Sequence, residues 1–255
     1  MLALAAATLV VCAPGYPGST GEAQPAMDAL ARSLARSAHL PEGSLTALYE
    51  ETEAGCLQRL AQQDSSLLLA TLPFFLDREQ ELRLVARLCA MPQSGETLER
   101  WTLVTGKDHP PSLDGYTVES TAGYSKKFVR AMSPRLAGGV EIQQTSAVLS
   151  ALKRAANGEK AAVLVDGSQA AAMAKLPFVD SLTVLGTSPP VPVAVVATLR
   201  KRIDDGRWSP LEAAFLRLAE DRAAREALDG VRIAGFLPLD DNALAAARAA
   251  YRRAR

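Results

Sequence analysis

Residues Thr8-Leu-Val-Val-Cys-Ala13-Pro-Gly-Tyr-Pro-Gly-Ser-Thr-Gly21 decide the fold class. The first six form a short continuous apolar run, the pattern of a strand buried on both faces, and Pro14-Gly15 ends it. Beyond the loop, Met27, Leu30 and Leu34 recur at intervals of three and four, joined by the small Ala31 and Ala38, with Arg32 and Arg36 on the opposite face. That spacing predicts an amphipathic helix. A buried strand passing through a glycine- and proline-rich loop into a helix is the building unit of α/β proteins, whose sheets carry helices on both faces.

The alternation continues outward from this unit. Ser44 to Tyr49 is β-like, Glu53 to Gln63 is helical through Leu57 and Leu60, and Ser66 to Leu72, Leu82 to Ala90 and Trp101 to Thr105 read as strands. The rhythm then repeats. Tyr116 to Ser120 alternates like a strand, and Ser120-Thr-Ala-Gly-Tyr124 introduces a helix carrying Phe128, Val129, Met132 and Leu136. Val140 to Ile142 is a strand, and Ser146 to Ala156 a helix with Val148, Leu149 and Leu152 on its apolar face, stopped by Asn157-Gly158. Ala161 to Val165 is a buried strand capped by Asp166-Gly167, and Leu182 to Leu185 another. Pro210 opens a later helix. Asp241 to Arg253 is a terminal amphipathic helix whose basic end suits a helix C-terminus. Mostly parallel sheets flanked by helices are the expectation.

Composition excludes much. The chain has 255 residues, 48% of them hydrophobic and 22% charged, which fits a globular protein and not a disordered one. Lys plus Arg equals Asp plus Glu at 28 each, so the basic field that non-specific nucleic-acid binding needs is missing, and no nucleic-acid partner is expected. There are two histidines, His39 and His109, and both read as polar surface residues. Three cysteines, Cys12, Cys56 and Cys89, form no C-x-x-C pair. Each lies among apolar neighbours, so all three are read as reduced core residues. G-x-S-x-G, G-x-x-x-x-G-K-[ST], G-x-G-x-x-G and H-E-x-x-H are all absent, and no metal or cofactor is expected.

Met1 to Ala13 is almost wholly apolar, with no Lys or Arg before Arg32. It is too short to cross a membrane. Residues 1–7 are read as the remnant of a secretory signal and Thr8 onward as the first strand, so a periplasmic or otherwise exported protein is expected, the alternative being a cytoplasmic protein with an apolar first strand. Lipoprotein processing at Cys12 would need a small residue before it, and Val11 is branched.

Two loop-to-helix junctions carry the candidate chemistry. Ser19-Thr20 precedes the first helix and Ser120-Thr121 the helix of the second block, with Gly21 and Gly123 allowing close backbone approach. Free amides at a helix start, the helix dipole and adjacent hydroxyls favour an anion. Plain N-capping by Ser or Thr is the competing reading at both places. Asp166 likewise reads either as a site residue or as a turn residue in Asp166-Gly167-Ser168.

Four stretches, in order, are Ser112-Leu-Asp-Gly-Tyr-Thr-Val118 before Ser120-Thr-Ala-Gly123; Leu149 to Asp166, containing Ala156-Asn-Gly-Glu-Lys-Ala-Ala-Val163; Leu185-Gly-Thr-Ser-Pro-Pro-Val-Pro192; and Ile233-Ala-Gly-Phe-Leu-Pro-Leu-Asp-Asp241. Their order resembles the type II periplasmic binding fold, in particular the phosphonate-binding branch of ABC-transporter substrate-binding proteins. The resemblance implies two α/β lobes, residues 8–104 plus 190–255 and residues 105–189, clamping a ligand in the cleft between them. It implies ligand contacts from Ser120, Thr121, the Gly123 amide, Tyr124, Asp166 and Ser146, with Ser19, Thr20 and Phe74 on the first lobe. Two positions depart from the branch. Ala147 stands where a histidine follows the helix-start serine, and Leu72-Pro-Phe-Phe-Leu76 replaces a Gly-Pro-x-x-Tyr segment. Each lost charge-assisted bond is worth ~1.5–3 kcal/mol, so a doubly charged phosphonate suffers more than a singly charged ligand. The implied protein is a monomeric solute-binding protein for a small anionic ligand, serving an ABC permease and doing no chemistry. The alternatives are an enzyme on the same fold, of menaquinone- or thiamine-precursor type, or a sensing module without transport.

Overall fold

The computed structural model describes residues 7–16, 18–133, 136 and 139–254. Residues 1–6 of the expected signal remnant lie outside them. Chain order runs β1 (Ala7–Cys12), α1 (Thr20–Ser37), β2 (Leu45–Glu50), α2 (Glu53–Leu60), β3 (Ser65–Thr71), α3 (Leu72–Arg78) and β4 (Leu84–Pro92). It continues with β5 (Leu98–Glu99), β6 (Thr102–Gly106), β7 (Thr117–Ser120), α4 (Lys126–Met132), β8 (Glu141–Gln144), α5 (Val148–Ala156), β9 (Ala161–Val165), α6 (Gly167–Met173), β10 (Leu182–Thr187) and β11 (Val191–Pro192). The last elements are β12 (Ala194–Leu199), α7 (Asp205–Arg217), α8 (Arg222–Gly230), β13 (Ile233–Pro238) and α9 (Asp241–Arg253).

These elements sort into two compact units. The first holds the described residues up to Thr97 together with Pro192–Asp240, the second Leu98–Val191 together with the residues from Asp241 on. The expected division placed residues 190–255 wholly in lobe one. The terminal helix instead belongs with the second unit, where α9 packs on α4 and the Lys127 ammonium sits 4.9 Å from the Tyr251 ring centroid. The chain passes between units near Thr97, near Val191 and again at Asp240, so Trp101 to Thr105 lies inside the second unit.

The first unit is built on a six-stranded sheet in the order β13-β4-β12-β3-β1-β2. β1 pairs in parallel with β2 and β3, Val10 opposite both Leu48 and Leu68. One sheet face presents Leu9, Val11, Leu67 and Leu69 to Met27, Leu30 and Leu34 of α1 and to Trp208, Leu211 and Phe215 of α7. The predicted apolar stripe of α1 is thus the buried one, each large side chain contributing about 1.5–3 kcal/mol of burial. α7 starts before Pro210: Asp204 caps it, accepting from Arg207 N at 2.8 Å. In place of three reduced cysteines there is a Cys12–Cys56 disulfide, and Cys89 is buried outside that bridge. Cys12 ends β1 and Cys56 lies on the inner side of α2, which packs on β1 and brings the two Cα atoms to 5.8 Å, within bridging distance.

The second unit has a five-stranded sheet in the order β10-β6-β9-β7-β8. β9, β7 and β8 run parallel, while β6 and β10 run against their neighbours. Val104, Val163 and Val165 pack on Val148, Ala151 and Leu152 of α5. Leu149, expected on that apolar face, is 57% exposed, because the buried stripe runs through Val148, Ala151, Leu152 and Ala155. Gly158 takes φ +85° after α5, as its C-terminal position predicts. Both sheets are mixed where mostly parallel ones were expected. Strands with their own crossover helix are parallel. β6 and β12 follow the passages between units with no such helix before them and run antiparallel to both strands they adjoin, so β10 and β13, which pair with β6 and β4, are antiparallel to those partners.

Candidate functional site

The first junction is a closed helix start. Ser19 caps α1 through a capping box: its Oγ accepts from Glu22 N at 3.3 Å, and the Glu22 carboxylate accepts from Ser19 N at 3.1 Å and from Ser19 Oγ at 2.8 Å. The next amide, Thr20 N, donates to Glu51 Oε2 at 3.1 Å. Two side-chain carboxylates therefore fill the place an external anion would take. Tyr49's phenol is held above its usual range, by burial first and by the Glu51 carboxylate second. Phe74, expected to line this lobe's site, is fully buried in α3.

The second junction differs at each atom. Ser120 is not an N-cap. It is the last residue of β7, its hydroxyl donates to Leu164 O of β9 at 2.8 Å, and it accepts from Ala122 N at 3.2 Å. Gly123 N closes the turn by donating to Ser120 O at 3.0 Å, so this amide is already satisfied. A Cβ on Gly123 would meet Gln143 O at 2.1 Å, which is why glycine stands there. The cap of α4 is Ser125, accepting from Phe128 N at 3.3 Å, so the cap lies five residues beyond Ser120. Between these anchored residues Thr121 is 2% exposed, and its Oγ1 has no hydrogen-bond partner. Tyr124 is half-buried in the same turn.

Because β7, β8 and β9 are parallel, their carboxyl ends lie at one rim of the sheet, where α/β sheets present ligand-binding loops. The β8–α5 loop joins this rim, with Thr145 N donating to Ser120 O at 3.0 Å. Ser146 is exposed, and α5 begins at Ala147 with no side-chain cap; only Ala147 N is held, by Thr145 Oγ1 at 3.1 Å. Ala147 has no polar side chain, which is the reason the start of α5 lacks a side-chain cap. An uncapped helix start carries amides and a positive dipole end suited to an anion.

Asp166 follows β9 at this rim and is 2% exposed. It caps α6 in a second capping box, accepting from Gln169 N at 2.8 Å and from Ser168 Oγ at 2.9 Å. Sequence reading missed its neighbour Glu99. The Glu99 Oε2 accepts from Gly167 N at 3.0 Å, and its pKa is pushed up to about 8, by burial first and by the adjacent Asp166 charge second. Nothing in the stretch Gly95-Glu-Thr-Leu-Glu99 signals this, since the environment comes from the chain reaching the rim of a sheet formed by later strands. The structure therefore brings Ser120, Thr121, Gly123, Tyr124, Ser146 and Asp166 together in the second unit. Ser19, Thr20 and Phe74 are in the first. Among the described residues no group of three His, Cys, Asp or Glu side chains is placed to hold a metal ion.

No protein-family model matches the sequence, and no curated protein does. Solved structures do match. XAC2383 from Xanthomonas citri, bound to ATP, is 16% identical over 97% of this chain and 98% of its own, with a TM-score of 0.74. A binding-protein component of an ABC phosphonate transporter from Pseudomonas aeruginosa is 13% identical over 94% and 83%, at 0.64. PhnD1 from Prochlorococcus marinus, in complex with methylphosphonate, is 9% identical over 96% and 97%, at 0.62. These likenesses establish the class of architecture: the two-lobed fold of type II periplasmic binding proteins.

Proposed function

We propose that this chain is a solute-binding protein that captures a small ligand bearing an oxyanion and delivers it to an ABC permease, without catalysing a reaction. The observation that carries the reading is the uncapped start of α5 beside the unpartnered Thr121 hydroxyl, at the carboxyl ends of parallel strands. Amides of the first turn of α5, Ser146 and Thr121 would receive the anion, with Ser120, Gly123, Tyr124 and Asp166 shaping the turn around them. The ATP and methylphosphonate bound by two neighbours carry phosphorus oxyanions, which fits this chemistry. A binding protein acting as a monomer in an oxidising compartment such as the periplasm also fits the Cys12–Cys56 disulfide, since such bonds persist outside the reducing cytoplasm.

A thermal-shift series with methylphosphonate, phosphate, a sulfonate and a carboxylate tests the reading, because a bound ligand raises stability by mass action. Thr121→Val separates binding from capping. The variant should melt no lower than wild type without ligand, since it removes an unpaired buried hydroxyl, yet bind roughly tenfold more weakly, the weight of one lost bond of about 1.4 kcal/mol. No shift with any of the four anions, or an unchanged affinity in Thr121→Val, defeats the proposed site.

A further inference from the structure

The second unit carries a strongly basic face that the candidate ligand site does not use. α4 and α9 pack together, and the Lys127 ammonium over the Tyr251 ring brings their outer sides to one place. Lys126 and Lys127 are exposed on α4 with Arg130 one turn further along, while Phe128, Val129 and Met132 fill its buried side. On α9 the exposed Arg252 and Arg253 follow Tyr251, and Arg248 lies one turn before Arg252. α4 contains no acid. The acids these elements bring are Glu141 on β8, the strand α4 packs on, and Asp241, about three turns from Arg252. Glu141 Oε1 accepts from Gln143 Nε2 at 2.8 Å. Among the described residues Lys126, Arg130, Arg252 and Arg253 have no ion pair.

Helix formation alone would not put these charges where they are. Arg252 and Arg253 end α9, where the helix dipole favours cations. Lys126 and Lys127 are instead the first two residues of α4, at the positive end of its dipole, where acids are favoured. Lys126 and Arg130 are also like charges four apart on one helix, a spacing that destabilises it, and Arg248 and Arg252 repeat it on α9. The whole chain is neutral, with 28 charges of each sign, so this field is local and not a result of composition.

We infer that the α4–α9 face docks on an anionic membrane surface, its lysines and arginines meeting lipid phosphates. Cations offered from the outer sides of two adjoining helices match a broad charged surface, and the half-buried Tyr251 among them is a residue type that sits at headgroup level. Lysine is depleted from the cores of protein interfaces, which favours lipid over an acidic protein as the occupant. None of these side chains belongs to the oxyanion site, so the two readings stand or fall separately.

Co-sedimentation of the full chain with vesicles tests the face. The protein should pellet with vesicles of phosphatidylcholine and phosphatidylglycerol in equal parts at about 0.1 M salt. It should stay in solution with pure phosphatidylcholine, and with the anionic vesicles at about 1 M salt, where the screening length falls to about 3 Å. No pelleting with the anionic vesicles, or pelleting that survives the high salt, overturns the inference, and binding to polyglutamate instead of vesicles reassigns the face to an acidic protein. Each cation near an anionic surface changes partitioning roughly fivefold. Lys126→Glu, a change of two charges, should therefore weaken vesicle binding by roughly twenty-five-fold. The same variant should melt higher, because it places an acid in the first turn of α4 and four residues before Arg130. Unchanged binding, or a lower melting temperature, overturns the inference. Lys160→Glu, which makes the same change of charge just before β9, should bind vesicles nearly as wild type does; an equal loss there would make net charge the cause and remove the face. Millimolar methylphosphonate should not release the protein from vesicles. Release would put lipid phosphate in the oxyanion site and overturn the α4–α9 face as the docking surface.

Discussion

Ser19-Thr20-Gly21 and Ser120-Thr121-Ala122-Gly123 look alike as sequence and are opposites as structure. The first is a helix start closed by the unit's own acids, Glu22 and Glu51. The second is a strand end tied across the sheet to Leu164, followed by a turn in which one hydroxyl, on Thr121, is left over. Hydroxyl-rich junctions are therefore distinguished by what already occupies their donors. The units also differ in how they are held: the first carries the Cys12–Cys56 crosslink, and the second rests on non-covalent packing among its described residues.

The largest effect should separate the units. Reducing Cys12–Cys56, or replacing both cysteines with Ser, opens a loop with a sequence separation of 44 residues. The chain-entropy cost for a loop of this length is about 4 kcal/mol. Calorimetry should then resolve earlier melting of the first unit, by roughly 10 °C, with the second unchanged; coincident melting in both redox states would erase the contrast. Next comes Gly123→Ala, whose new methyl would collide with the backbone of Gln143 and Gln144. Denaturant titration should show a loss of about 1–3 kcal/mol in the second unit, together with loss of the anion shift. Gly21→Ala is its counterpart. A Cβ there meets nothing within 4 Å inside α1, so stability should rise by about 0.5–1 kcal/mol. A similar sign at both glycines would make the two junctions equivalent after all. The smallest effect is Ser19→Ala, expected to cost ~1 kcal/mol through the lost cap while leaving any anion shift intact.

Much of the scaffold was legible because strand burial writes itself as apolar runs. Thr8 to Ala13 and Ala161 to Val165 fall on β1 and β9, and the stripe Met27, Leu30, Leu34 is the buried face of α1. Less visible was anything fixed by distant partners. Apolar neighbours announced that Cys12 and Cys56 are buried, yet not that β1 and α2 put them side by side. The start of α4 was misjudged because Ser120 and Ser125 are both good caps, and only the β9 carbonyl beside Ser120 decides which one is used. Of the candidate site, Thr121, Ser146 and Asp166 could be named from strand ends, whereas Glu99 acquires its character from burial first and then from Asp166, far along the chain.

β3 and β4 are successive strands of the first unit, yet they do not touch in the sheet: β12, which arrives only after the second unit's strands, lies between them and pairs with both. During synthesis the chain must therefore hold two strand edges unpaired until Leu199 has emerged, and a chain stopped short of β12 exposes both. Unpaired apolar edges are templates for joining other chains. The order of strands in this sheet thus makes the nascent first unit most dependent on chaperones during the interval in which the second unit is being made.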